Sequence, residues 1–148
     1  MKKFQFTLDR IKQYRIQIED MEKNDLAALR ADLKQLQEQE QDIWRQILAK
    51  SEELRRLLRK GAFPNEISVA NRYLTFKKQE LEMKKGEIED KKKEIENKLL
   101  DVMEATKEVK KLEKLEEHQL EEYKQMEVKE NESFLEEFFG GARQGNAS

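Results

Sequence analysis

The chain has no cysteine, one proline, one histidine and five glycines in 148 residues. Without cysteine there is neither a disulfide nor a thiolate metal site. One histidine, His118, is too few for a zinc centre of the ordinary type. No stretch approaches the ~20 consecutive apolar residues of a membrane span. The start, Met1 to Phe6, carries Lys2 and Lys3 but no apolar run behind them, so it does not read as a secretion signal. Neither charge sign dominates: 30 basic and 32 acidic residues give a net charge of −2. The two signs are interleaved, which argues against a nucleic-acid partner. The glycines, at 61, 86, 140, 141 and 145, never stand in phosphate-cradling spacing ahead of Lys and Ser or Thr, so ATP binding is not expected.

What the chain does have is charge and heptads. Charged residues make up 42% and hydrophobic ones 36%, below the roughly 45–50% apolar content of an average globular domain. Such a composition supports a thin apolar stripe rather than a many-sided core. Leu74, Leu81, Ile88, Ile95, Val102 and Val109 recur every seventh position, the seam of a helix packed on another helix. The first half has its own seam at spacings of three and four: Leu26, Leu29, Leu33, Leu36, Ile43, Ile47, Leu54 and Leu57. Pro64 stands between the two. The expected fold is all-α, a long antiparallel two-helix coiled-coil hairpin. Its first helix covers about 5–60, its turn about 61–67 and its second helix about 67–138; Gly140 and Gly141 stop that helix ahead of a disordered tail at 140–148. At ~1.5 Å per residue the first helix would be about 80 Å long.

Antiparallel pairing makes facing residue numbers add to a constant, roughly 128 when the two seams are brought into coincidence. Leu54 then faces Leu74, Ile47 faces Leu81, Leu33 faces Ile95, Leu26 faces Val102, Leu29 faces Leu99 and Leu8 faces Leu120. The alternate layers are weaker, because Ile43 meets Lys85 and Leu36 meets Lys92. Lys78, Lys85 and Lys92, beside Lys77, Lys84, Lys91 and Lys98, would cover leucine with their stems and keep their ammonium groups wet. Arg15 opposite Glu113 and Glu22 opposite Thr106 would loosen the open end. Phe4, Leu8, Ile11, Ile18 and Met21 are out of phase with the later seam, which predicts a stutter between Met21 and Leu26.

Catalysis finds little support. Carboxylates such as Glu87, Glu89, Asp90 and Glu94 stand at helical spacing, but a general acid or base needs a pocket, and two helices enclose none. We therefore expect no enzyme activity and no cofactor. His118 and Glu122, one turn apart, read as an exposed polar pair rather than a metal site. Trp44, near Met83 and Lys84 in this register, reads as a shield for the seam beside it ahead of an anchor for a partner. Two apolar groups do not fit the seam. Tyr73 and Phe76 bracket Leu74, and Phe134, Leu135, Phe138 and Phe139 lie beyond the reach of the first helix. Exposed clusters of this kind suggest contact with another protein; the second group could instead fold back on Phe4 and Phe6.

The start, Lys3, Phe4, Gln5, Phe6, Thr7 and Leu8 followed by Ile11, Arg15 and Glu19, resembles the opening of the flagellar FliJ family, where alternating aromatics precede the first long helix. The late run Lys107 to Leu115, followed by Tyr123, Glu127, Lys129, Asn131 and Glu132, is similar to that family's closing block. Glu117, His118 and Gln119 stand where the family is usually more basic, and Asn131 replaces an aspartate. The resemblance spans about residues 3 to 133 and includes the two-helix layout with a turn before the middle.

The resemblance implies a non-catalytic stalk of the bacterial flagellar type III protein export apparatus. Such a stalk inserts in and stimulates the hexameric export ATPase and links it to the membrane export gate, with export chaperones as a further partner class. It implies an ATPase-facing end made of Phe4, Phe6, Leu8, Ile11, Arg15, Leu112, Leu115 and Tyr123, and an export-gate contact at Tyr73, Phe76 and Met83. The expected protein is a monomer by itself, cytoplasmic, and peripherally associated with the membrane at the flagellar base. Two other functional classes compete: a holdase-type chaperone using Phe134, Leu135, Phe138 and Phe139, and a coiled-coil scaffold.

Overall fold

The computed structural model describes residues 2–147, with side chains for residues 2–141. Two helices account for nearly all of it: α1, Asp9–Lys60, and α2, Pro64–Ala147. Asp9 in the first turn of α1 and Arg59 and Lys60 in its last complement the helix dipole. Among the described residues there is no strand. The fold is all-α, an antiparallel two-helix coiled-coil hairpin, and the chain divides into two compact units, Met21–Val102 and Met1–Asp20 with Met103–Ser148.

In the unit Met21–Val102 the helices are joined by residues 61–63, a shorter connection than the expected 61–67. Gly61 takes φ +79°, and the Ala62 N–H donates to the Leu57 carbonyl at 3.0 Å. This is the Schellman way of ending a helix, and it needs a residue without Cβ strain at Gly61. Pro64 begins α2 rather than holding it off until Ile67. At a helix's first position proline loses only an N–H that has no intrahelical partner anyway, and its fixed φ is already helical. The Glu66 and Ile67 N–H groups donate to the Phe63 carbonyl at 3.0 and 3.3 Å, closing the first turn.

The core of this unit is Ile43, Ile47, Leu74 and Leu81, with Leu54 packed against it. The expected partners Leu54 and Leu74, and Ile47 and Leu81, thus lie together. Leu26, Ala70, Ile88 and Val102 are also buried. Between the aliphatic layers of α2 come half-buried lysines, but at Lys77, Lys84, Lys91 and Lys98; Lys78, Lys85 and Lys92 are exposed. The correction follows from helix geometry. Three residues on from Leu74, Leu81, Ile88 and Ile95 is the next position facing the partner helix, whereas a fourth step turns the side chain out. Trp44 lies beside Lys85, whose ammonium stands 5.8 Å from the ring centroid.

In the other unit Phe6, Ala105 and Val109 are buried. Leu8, Lys12, Arg15 and Glu19 are half-buried at the same three-four spacing that Leu26, Leu29 and Leu33 follow further along α1. The three-four spacing continues on this line while its residue types change from apolar to charged, and Ile18 beside it is half-buried as well. Ile11 and Met21, expected on an out-of-phase seam, are exposed. Residues 2–6 are not helical, so α1 starts at Asp9 rather than near 5.

Helix α2 does not stop at Gly140 and Gly141. Neither glycine takes the left-handed conformation that a helix stop uses, and a Cβ at either would meet nothing within 4 Å. The helix simply runs through them. The disorder expected for Ala142 to Ser148 falls on residues whose side chains lie outside the described set. No helix among the described residues is long and apolar enough to cross a membrane.

Candidate interaction surfaces

Three surfaces gather the side chains that the two-helix core leaves over. The first is built by residues 2–8 against α2. The Phe4 ring tilts at 56° against Tyr123 with centroids 5.6 Å apart, while the Tyr123 hydroxyl donates to the Lys2 carbonyl. The Thr7 hydroxyl donates to Gln119 Oε1 at 3.4 Å. Phe6, Leu8, Ile11 and Glu116 line one groove together with Phe4. Beside it Lys12 Nζ donates to Glu116, and this hydrogen bond, helped by the charges of Glu116, Glu113 and Asp9, raises the Lys12 pKa above the ordinary lysine value against the opposing effect of burial.

Five of the eight residues assigned to the ATPase-facing end by resemblance therefore come together: Phe4, Phe6, Leu8 and Ile11 share the groove, and Phe4 touches Tyr123. Arg15 is half-buried further along α1. Leu112 is half-buried on the facing line of α2, and Leu115 is exposed beyond it. Sequence reading missed Lys12 and Glu116. The signal was a cation and a carboxylate each sitting at a seam position, which a search for apolar periodicity passes over.

The second surface is the outer face of α2 near the turn. Phe76 and Met83, two turns apart, are 62% and 71% exposed. Phe76 lines a shallow groove with Pro64 and Ile67, and Met83 lines the next one, both sharing Thr75 and Gln79. Tyr73 does not join them. Its ring lies between the ammonium groups of Lys50 and Lys77, at 5.3 and 5.6 Å from the centroid, on the flank of the seam. The predicted trio is thus a pair plus a residue committed to its own helix partner.

The third surface is Phe134, Leu135, Phe138 and Phe139. All four are exposed, so the fold-back on Phe4 and Phe6 does not occur. Phe138 and Phe139 make an edge contact, 5.7 Å between centroids at 79°. His118 and Glu122 approach to 3.1 Å with both side chains mostly exposed, a surface pair in keeping with its expected polar role.

Comparison with known proteins finds no matching family model, no matching curated protein and no matching solved structure.

Proposed function

We propose that this chain is a non-catalytic coiled-coil stalk of the flagellar type III export apparatus, inserting in and stimulating the hexameric export ATPase and linking it to the membrane export gate. The observation that supports this reading best is the pairing of Phe4 with Tyr123. The two motif blocks on which the resemblance rests are far apart in sequence and lie side by side in one unit. Aromatic side chains partly exposed at such a pairing suit a protein partner. The exposed Phe76 and Met83 supply a second contact, for the gate, and the stalk works in the cytoplasm at the flagellar base. The driving energy comes from the ATPase.

The test is stimulation of the cognate export ATPase by the purified chain and by its Phe4→Ala, Phe6→Ala, Leu8→Ala variant. Stimulation by the wild type and its loss in the variant is the expected result. Hydrolysis and ring assembly left unchanged by both would end the assignment. A holdase-type chaperone is the second reading, favoured by the exposed Phe134, Leu135, Phe138 and Phe139. Suppression of client aggregation at stoichiometric ratios, without ATPase stimulation, would select it.

A further inference from the structure

Beyond Tyr123 the residues of α2 in phase with the seam are Met126, Glu130, Ser133 and Glu137, and every residue from 124 to 139 is exposed. Apart from Met126, the apolar side chains stand elsewhere on the helix. Val128 and Leu135 are two turns apart, Phe138 and Phe139 follow one turn later, and Phe134 lies at the edge. At 3.6 residues per turn this arc is centred roughly 140° round from the seam line, nearly the opposite side of the helix. It is not a continuation of the internal pairing, Phe4 is already engaged with Tyr123, and Phe6 is buried.

We propose that residues 128–139 form a docking helix that seats its aromatic face in an apolar groove of another protein, a groove whose rim carries lysine and arginine. The spacing is that of helix-in-groove recognition, with anchors one and two turns apart on one face. The charge decides the occupant. Glu127, Glu130, Glu132, Glu136 and Glu137 stand against Lys129 alone, a net −4 over residues 127–139. A second copy of the chain would bring two such acidic segments to a helix-packing distance of ~8–10 Å, within about one Debye length, in either orientation. A basic rim instead gains attraction from the same carboxylates and steers encounter. The edge contact between Phe138 and Phe139 holds two rings together as one anchor before any partner arrives. This inference does not rest on the stalk reading.

The experiment places a photoreactive benzoylphenylalanine at Phe138 in the full chain, irradiates the native cells and identifies the crosslinked protein. That protein is then purified and its affinity for the full chain measured at ~50 and ~300 mM salt. We expect Leu135→Ala with Phe138→Ala to weaken binding roughly tenfold or more. Glu132→Lys with Glu136→Lys should do the same at low salt, where the wild type binds tighter than at high salt, with the helical circular dichroism of all variants unchanged. Crosslinks solely to another copy of the chain, no protein crosslink at all, or an affinity indifferent to charge reversal would each overturn the proposal.

Discussion

Lys98 donates a hydrogen bond to Glu22 across the helix pair of the unit Met21–Val102, 2.9 Å from Nζ to Oε2. It does so from a seam position where a coiled coil ordinarily places an aliphatic side chain. Asp25 at 3.8 Å and Asp101 at 3.6 Å complete the acidic surround. Two heptads nearer the turn Lys84 donates to Gln39 at 2.9 Å, and between them Lys91 approaches Asp32 at 3.9 Å. A polar residue at such a position fixes register at some cost in stability.

The cost is measurable by removing it. Lys91→Leu is expected to stabilise the protein by about 1 kcal/mol, since Leu33, Leu36 and Ile88 lie on the adjacent layers and the Asp32 contact is long and exposed. Lys98→Leu should gain less, because it deprives the half-buried Glu22 of its donor. Thermal unfolding of the two variants side by side checks the order; equal gains would mean the Lys98 hydrogen bond carries no weight.

The same pair has a pH signature. The hydrogen bond from Lys98 to Glu22 raises the lysine pKa above its ordinary value, reinforced by Glu22, Asp101 and Asp25 and opposed by burial. A folded-state pKa above the unfolded one means folding favours the protonated form. The contribution is therefore complete below the unfolded value, about 10.4, and is lost as pH rises through the folded one. The gap in Tm between wild type and Lys98→Gln should be constant from neutrality to ~9 and close as the pH rises through the raised lysine pKa. A gap that widens there would contradict the pairing.

Core and outer face should respond differently to truncation. Ile47, 5% exposed in the cluster with Ile43, Leu74 and Leu81, should lose about 2–4 kcal/mol as Ile47→Ala. Phe76→Ala and Met83→Ala should stay within about 0.5 kcal/mol of wild type in denaturant titration while impairing partner contact. A large destabilisation from Phe76→Ala would remove it from the surface candidates.

Two glycines give opposite signs for one chemical change. Gly61→Ala places a Cβ at φ +79°, and a cost of about 1–2 kcal/mol is expected. Gly86→Ala sits in mid-helix with nothing within 4 Å of the new methyl, and a gain of about 0.5–1 kcal/mol is expected. Denaturant midpoints at constant slope decide both.

Where the inner line is apolar, it was legible. Leu54 with Leu74 and Ile47 with Leu81 follow from heptads and a turn, because antiparallel helices leave one free parameter, the register. The inner line near Asp9 was not legible for the same physical reason: Lys12, Arg15 and Glu19 occupy it, and apolar periodicity is blind to a carboxylate or ammonium whose stem packs inward. The turn expected at 61–67 is too long because proline's meaning depends on position, and at the first position of a helix it fits. The stop expected at Gly140 and Gly141 is absent for a like reason, since a glycine permits a stop without compelling one. Phe134, Leu135, Phe138 and Phe139 are legible as apolar residues that the seam leaves over, whereas Val128 is not. That Tyr73 belongs with Lys50 and Lys77 rather than with Phe76 needed the lateral spacing of two helices, which no single-helix pattern contains.

The connection of three residues closed by Gly61 has one further consequence. It anchors the count of both arms of the unit Met21–Val102 at a single origin, so any lengthening that keeps Leu74 and Ile47 in their layers must insert matched multiples of seven residues, one set in each arm. A lone insertion of one residue in either arm would rotate every layer beyond it by about 100° and unzip the pair from that point outward. Viable size variants of this protein should therefore differ in steps of fourteen, shared equally about the bend.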